Sequence, residues 1–309
     1  MTYMARPKIG IALGGGSARG WAHLGVLRVL AEAGLEIDII AGTSIGAVAG
    51  ACFVTGRLEA LHDFATSLTR RSVFGFMDLN FGGSGLITGQ RLGARLDTHL
   101  SQYQIEDLPR SFVAVATELG TGHEVWLSKG SLVDALKASY ALPGIFKPVK
   151  IDGRWLIDGA LVNPVPVSVC RALGARFVIA VNLSSDVYSR GTVIPDQAAI
   201  AQNGDYPDDA MQPENGGRSA VRLLQRQLLG RRDGAPGISS VMMDAINITQ
   251  DRISRSRLAG DPPDVTITPR VGAIRPFDFH RAEEAIQEGA EATHRHLDDI
   301  LNSVRSLAV

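Results

Sequence analysis

Apolar residues fall along this chain in two alternating rhythms. Short runs, apolar after a leading Lys8 or Asp38, end on glycine: 8–13 before Gly14-Gly15-Gly16, and 38–41 before Gly42-Thr43-Ser44-Ile45-Gly46. Continuous apolar runs of this length, closed by turn residues, predict buried strands. Each is followed by helical spacing, with Leu24, Leu27, Val29 and Leu30 inside a helix predicted over 21–33 and small apolar residues over 47–55. Further strands are predicted over 112–117, 124–127, 155–157, 177–181 and 265–268, and further helices over 57–68, 90–100, 132–139, 167–173 and 281–304. Strands alternating with helices predict an α/β fold with a mostly parallel central sheet covered on both faces.

The rhythm fails over 184–218, where Asp186, Gly191, Pro195, Gly204, Pro207, Pro213 and Gly216-Gly217 interrupt it. A segment of that length without periodicity reads as flexible, either a lid or a disordered stretch. Over 219–229 an amphipathic helix is predicted, with Val221, Leu224 and Leu228 on one face and Arg218, Arg222 and Arg226 spaced by four. Such a helix can lie in a membrane interface, although an ordinary surface helix with solvated arginines is the commoner use of the pattern. The organisation expected is a single domain over 1–309, with core motifs in 9–183 and a C-terminal strand and helix in 260–309. The longest apolar stretch, 39–54, is broken by Thr43, Ser44 and glycines, so it reads as strand, turn and helix rather than as a membrane span.

Composition narrows the function classes. Thirty-one Lys and Arg against thirty-two Asp and Glu leave a net charge of −1, which argues against nucleic-acid binding by bulk charge. The 34 glycines in 309 residues exceed the usual share of about 7% and point to tight turns and close backbone approaches. Cys52 and Cys170 stand far apart in helix-like runs, which suggests neither a disulfide framework nor a zinc site and fits a reducing, cytoplasmic compartment. The first eight residues do not read as a signal peptide.

Three elements carry chemistry. Gly42-Thr43-Ser44-Ile45-Gly46 matches G-x-S-x-G, in which a serine stands on a sharp strand-to-helix turn. The Ile45 amide then points from a helix start toward the place where an oxyanion would form. Gly14-Gly15-Gly16-Ser17-Ala18-Arg19-Gly20, between another strand and helix, offers successive amides suited to a phosphate or an acyl oxyanion. Dinucleotide binding is the rival reading, with Glu36 and Asp38 near the ribose-binding distance, but Arg19 occupies the position where that fingerprint needs its third glycine. Asp158, at the end of the apolar run before Gly159-Ala160, is a carboxylate base for a serine that needs one. None of the histidines stands in a catalytic motif.

Taken in order, these elements and the segment Ser139-Tyr140-Ala141-Leu142-Pro143-Gly144-Ile145-Phe146-Lys147-Pro148-Val149 resemble the patatin-like phospholipase family. Residues 251–282 are similar to its small bacterial branch, related to the catalytic region of neuropathy target esterase. The resemblance implies a three-layer α/β/α fold and a Ser-Asp dyad, with Ser44 as nucleophile and Asp158 as base. Its substrates would be phospholipids or lysophospholipids, cleaved through an acyl-enzyme without metal or cofactor. It implies an oxyanion hole from Gly14, Gly15 and Gly16 with Ile45, loop support from Ser17, Arg19 and Gly20, and an elbow flanked by Gly42 and Gly46. Ser17 departs from the glycine usual there, and a positive φ at that position would strain the loop. Peripheral membrane contact follows from a lipid substrate, and no protein partner is indicated. Two alternatives stay open: a Ser44–Asp158–His280 triad, with His280 otherwise a cap on the last helix, and an inactive relative that binds lipid or protein through 184–229.

Overall fold

A computed structural model describes residues 6–70, 90–184 and 238–307. They fall in two units, Met1–Val187 with Thr249–Val309 and Tyr188–Ile248. The described part of the second unit, 238–248, is helical. The segment expected to be flexible, 184–218, lies outside the described residues apart from Ser184, and so does the predicted amphipathic helix 219–229. Among the described residues no helix is long and apolar enough to cross a membrane.

The first unit is built on one sheet. Strands β1 (Ile9–Leu13), β2 (Ile39–Thr43), β3 (Ser111–Glu118), β4 (Glu124–Leu127), β5 (Val149–Ile151), β6 (Arg154–Asp158), β7 (Phe177–Val181) and β8 (Val265–Ile267) lie in the order β5-β6-β3-β2-β1-β7-β8, with β4 also paired to β3. The five strands from β3 to β8 run parallel, whereas β4 and β6 are antiparallel to β3 and β5 is antiparallel to β6. All five residues of β1 are buried, as an interior parallel strand requires.

Helices α1 (Ala22–Glu32), α2 (Ile45–Val54), α3 (Leu58–Thr66), α4 (Gln90–Leu100), α5 (Leu132–Ser139), α6 (Val167–Ala172), α7 (Ile238–Gly260), α8 (Ala282–His294) and α9 (Leu297–Leu307) complete the described elements. Alternate strand residues feed two apolar clusters. Ile11 and Leu13 pack with Leu24 and Leu27 of α1 and Ala47 of α2, whereas Ala12, Ala41 and Val178 pack with Val169 and Cys170 of α6. Helices on both faces of a mostly parallel sheet make the expected three layers.

Helix α1 begins within one residue of its expected start, with a 3₁₀ turn, Ser17–Trp21, closing the glycine loop before it. Two other expectations change. The predicted helix 281–304 is two helices, α8 and α9, broken at 295–296. Apolar spacing continues from Ala292 to Leu297 and Ile300, so periodicity does not mark the break. Strand β5 and helix α7 had no counterpart: β5 is three residues long, and Val241, Met242 and Ile248 of α7 are exposed, which leaves no apolar stripe to read.

Helices α1 and α8 meet backbone to backbone. A Cβ on Gly25 of α1 would stand 2.0 Å from the Ile286 carbonyl oxygen, and one on Gly289 of α8 would stand 2.0 Å from that of Ala22. The two backbones touch at reciprocal glycines, and neither position tolerates a methyl group unless the helices separate. Gly25→Ala or Gly289→Ala should therefore lower stability by about 1–3 kcal/mol in denaturant titration. Gly260→Ala, where a Cβ meets nothing within 4 Å, should be neutral or slightly stabilising.

Candidate active site

Pairing along β3 brings Ser44 and Asp158 together. Val115 pairs with Thr43 and with Trp126, and its neighbour Ala116 pairs with Val125 and with Asp158. A strand residue has two hydrogen-bonding edges, and β4 takes one of them across 114–117. Strands β2 and β6 therefore share the other edge end to end, one arriving parallel and the other antiparallel. Their last residues, Thr43 and Asp158, stand at adjacent positions. Across that junction the Ser44 Oγ donates to Asp158 Oδ2 at 2.7 Å.

Ser44 adopts φ 56° and ψ −125°, a conformation that L-residues rarely occupy and that persists only where the surroundings enforce it. Its amide donates to Ser139 Oγ at 2.9 Å, and that hydroxyl donates to the Val115 carbonyl at 2.6 Å. Thr43 Oγ1 donates to the Asn163 carbonyl at 2.9 Å. On the helix side the Ser44 carbonyl accepts from Ala47 and Val48. A Cβ on Gly46 would lie 2.1 Å from the Leu13 carbonyl oxygen, so the turn can pack on β1 only with glycine there. A Cβ on Gly42 would lie 2.5 Å from the backbone of Ala47.

Asp158 is 2% exposed. Burial raises its pKa from the ordinary carboxylate range to about 6, opposed by hydrogen bonds from the Ala160 amide to Oδ1 at 2.8 Å and from Ser44 to Oδ2. Its amide donates to the Ala141 carbonyl and its own carbonyl accepts from Thr117 Oγ1 at 2.8 Å. The 139–141 segment thus holds both partners, Ser44 through the Ser139 hydroxyl and Asp158 through the Ala141 carbonyl. A buried carboxylate with a raised pKa, accepting from a hydroxyl on a strained turn, is equipped to take that proton.

The glycine loop lies against this pair. A Cβ on Gly15 would stand 3.2 Å from Ala160 Cβ and 3.7 Å from Ser44 Cβ. The expected row of donors is shorter than four, however. The Gly14 amide donates to Val181 at 3.1 Å and the Gly15 amide to Pro164 at 3.0 Å, so both are already used by backbone carbonyls. The amides of Gly16, Ser17 and Ile45 have no hydrogen-bond partner among the described residues. Ser17 carries φ 50°, the positive value that disfavours a side chain. Arg19 is buried and donates from Nε to the Ile274 carbonyl at 2.8 Å, while the Ala18 amide bonds Pro276, so the loop is fastened to the stretch before α8. A Cβ on Gly20 would overlap Ile45 at 2.1 Å, which sets the two candidate oxyanion segments side by side.

His280 stands apart from this network. It sits in the turn Phe279–Arg281, where its Nε2 accepts from Arg70 at 3.2 Å, and it does not cap α8. No histidine hydrogen-bonds Ser44 or Asp158 among the described residues. Asp38, the ribose ligand of the dinucleotide reading, instead bonds the Ile9 amide and Arg6. Sequence reasoning assigned no role to Thr43, Thr117, Ser139 or His23. The legible signal was a polar residue at a strand end or within an otherwise apolar helix face.

The chain matches the model of the patatin-like phospholipase family over residues 11–171. An NTE family protein of Mycobacterium tuberculosis is 32% identical over 323 residues, covering 92% of this chain and 89% of the relative. A patatin-like phospholipase domain-containing protein of Caenorhabditis elegans is 37% identical over 187 residues, covering 57% of this chain and 14% of that protein. Among solved structures, VipD from Legionella pneumophila aligns with a TM-score of 0.46 and 14% identity, covering 96% of this chain and 67% of that one. With the family pattern matched over half of the sequence and a relative aligned along nearly all of it, the chain belongs to the patatin-like phospholipase family.

Proposed function

We propose that the protein is a serine hydrolase of lipid acyl esters, phospholipids or lysophospholipids, working through a Ser44–Asp158 dyad. The observation that carries this reading is the 2.7 Å hydrogen bond from the Ser44 hydroxyl to a buried Asp158 carboxylate. As Ser44 Oγ attacks the ester carbonyl, Asp158 takes its proton, and the tetrahedral oxyanion is met by the amides of Gly16, Ser17 and Ile45. Collapse breaks the bond to the alcohol, which leaves with the proton from Asp158, and Ser44 remains acylated. Water then attacks the acyl-enzyme, giving a proton to Asp158, which returns it to Ser44 as the fatty acid departs. The family and the names of the relatives support the lipid class, and the geometry of the site supports the chemistry.

Ser44→Ala and Asp158→Asn should each lower kcat on a lysophospholipid or a p-nitrophenyl ester by about 10³-fold or more, with native circular dichroism. Parental turnover by either variant would overturn the dyad. His280→Ala should keep turnover, and a loss comparable to that of Ser44→Ala would favour a triad. Because Asp158 must be ionised to act as base, kcat/KM should rise with pH through about 6 and level off above it.

The same raised pKa has a stability consequence. Folding binds the Asp158 proton more tightly than the unfolded chain does, so this group favours the fold below its unfolded pKa and loses that contribution as pH rises through about 6. Asn at this position does not titrate; its Oδ1 can still accept from the Ala160 amide, and its Nδ2 would donate to Ser44 Oγ in a bond of reversed direction. Between pH 4 and pH 7 the parent should therefore lose about 1–3 kcal/mol relative to Asp158→Asn in denaturant titration.

A further inference from the structure

We propose that His23 is a positioning residue for the glycine loop: its imidazole fixes the Gly14–Gly15 peptide plane and so sets the direction of the Gly16 and Ser17 amides. The proposal rests on the reading of those amides as oxyanion donors. His23 lies on the first turn of α1 and is fully buried. Its Nε2 is 2.7 Å from the Gly14 carbonyl oxygen. A carbonyl only accepts, so Nε2 carries the proton and, in the neutral ring, Nδ1 carries none; Nδ1 has no partner among the described residues. Burial lowers the ring pKa to about 4 against the opposing Gly14 hydrogen bond, so the imidazole stays a neutral donor at physiological pH.

The loop needs such a holder. A Cβ on Gly14 would come within 2.8 Å of the Val181 carbonyl oxygen, and one on Gly16 within 2.8 Å of Leu183 Cδ1. Close approach therefore demands glycine, yet three consecutive glycines impose little on φ and ψ. The Gly14–Gly15 peptide is planar, and its two polar atoms point to opposite sides. His23 takes the oxygen, and the Pro164 carbonyl takes the Gly15 amide at 3.0 Å. The next peptide carries the Gly16 amide. Without the imidazole donor, the buried Gly14 oxygen is satisfied only if this plane turns, which breaks the Gly15 bond and moves the donors that follow.

Gln and Met have similar length, and only Gln offers an N–H near the position of Nε2, so the pair separates hydrogen bonding from space filling. In His23→Met, kcat should fall about 10²-fold with KM nearly unchanged, while His23→Gln should stay within about 5-fold of the parent. Parental kcat in the Met variant, or equal losses in both, would overturn the proposal; if Met does not fold, His23→Leu takes its place. Amide exchange at Gly15, followed by NMR, reads the tether independently of turnover. It should be at least about 10-fold faster in Met and parental in Gln, and unchanged exchange in Met would overturn the tether. If parent and variants all lack turnover while Gly15 exchange behaves as stated, the hydrolase reading fails and the tether stands.

Discussion

One edge of β3 is shared by two strands running in opposite senses, and the candidate chemistry depends on that sharing. Strand β2 climbs the edge to Thr43, β6 descends it to Asp158, and both stop at neighbouring residues of β3. Strand register is fixed by how successive side chains fill the two apolar clusters on either face, and a slip of one residue would send each side chain into the wrong cluster. The convergence of Ser44 and Asp158 is therefore specified by the same apolar packing that stabilises the sheet. The 139–141 segment adds a second constraint, because its hydroxyl and carbonyl grip the amides of both residues from one side.

Local costs gather at this junction. Ser44 and Ser17 hold positive φ values, and Asp158 keeps a carboxylate away from water. Each is unfavourable alone, and at Ser44 and Asp158 the cost is met by hydrogen bonds from neighbours that strands and helices hold in place. Thr43, Thr117 and Ser139 use their hydroxyls on the backbone carbonyls of Asn163, Asp158 and Val115, so the strained turn is tied to β3, to the end of β6 and to the loop that follows β6. Concentrated strain within a well-packed scaffold is the usual form of a preorganised site.

Much of the fold was legible because buried strands leave plain marks. The run before Gly14 and the run before Gly42 are short, apolar and closed by glycine, and both are strands. The serine of Gly42-Thr43-Ser44-Ile45-Gly46 stands on the strained turn that its pattern suggests. Asp158 was legible as a strand-end residue, but spacing alone does not state that β6 runs against β2, and that reversal brings the carboxylate to the hydroxyl. The glycine row misled in one respect. Glycine at 14 and 15 serves close packing, while the amides there are consumed by Val181 and Pro164. His23 was hidden because its partner is a carbonyl of a loop, which no side-chain motif announces. The break between α8 and α9 was hidden by apolar spacing that runs through it.

Activation of the Ser44 hydroxyl by the buried Asp158 carboxylate can be read by covalent labelling. The folded protein would be treated with a fluorophosphonate across pH 4 to 8 and the modified peptide identified by mass spectrometry. A single adduct is expected on Ser44, formed at a rate that rises through about pH 6 and is nearly abolished in Asp158→Asn. An unlabelled Ser44 in folded protein, or labelling that ignores both pH and Asp158, would contradict this activation.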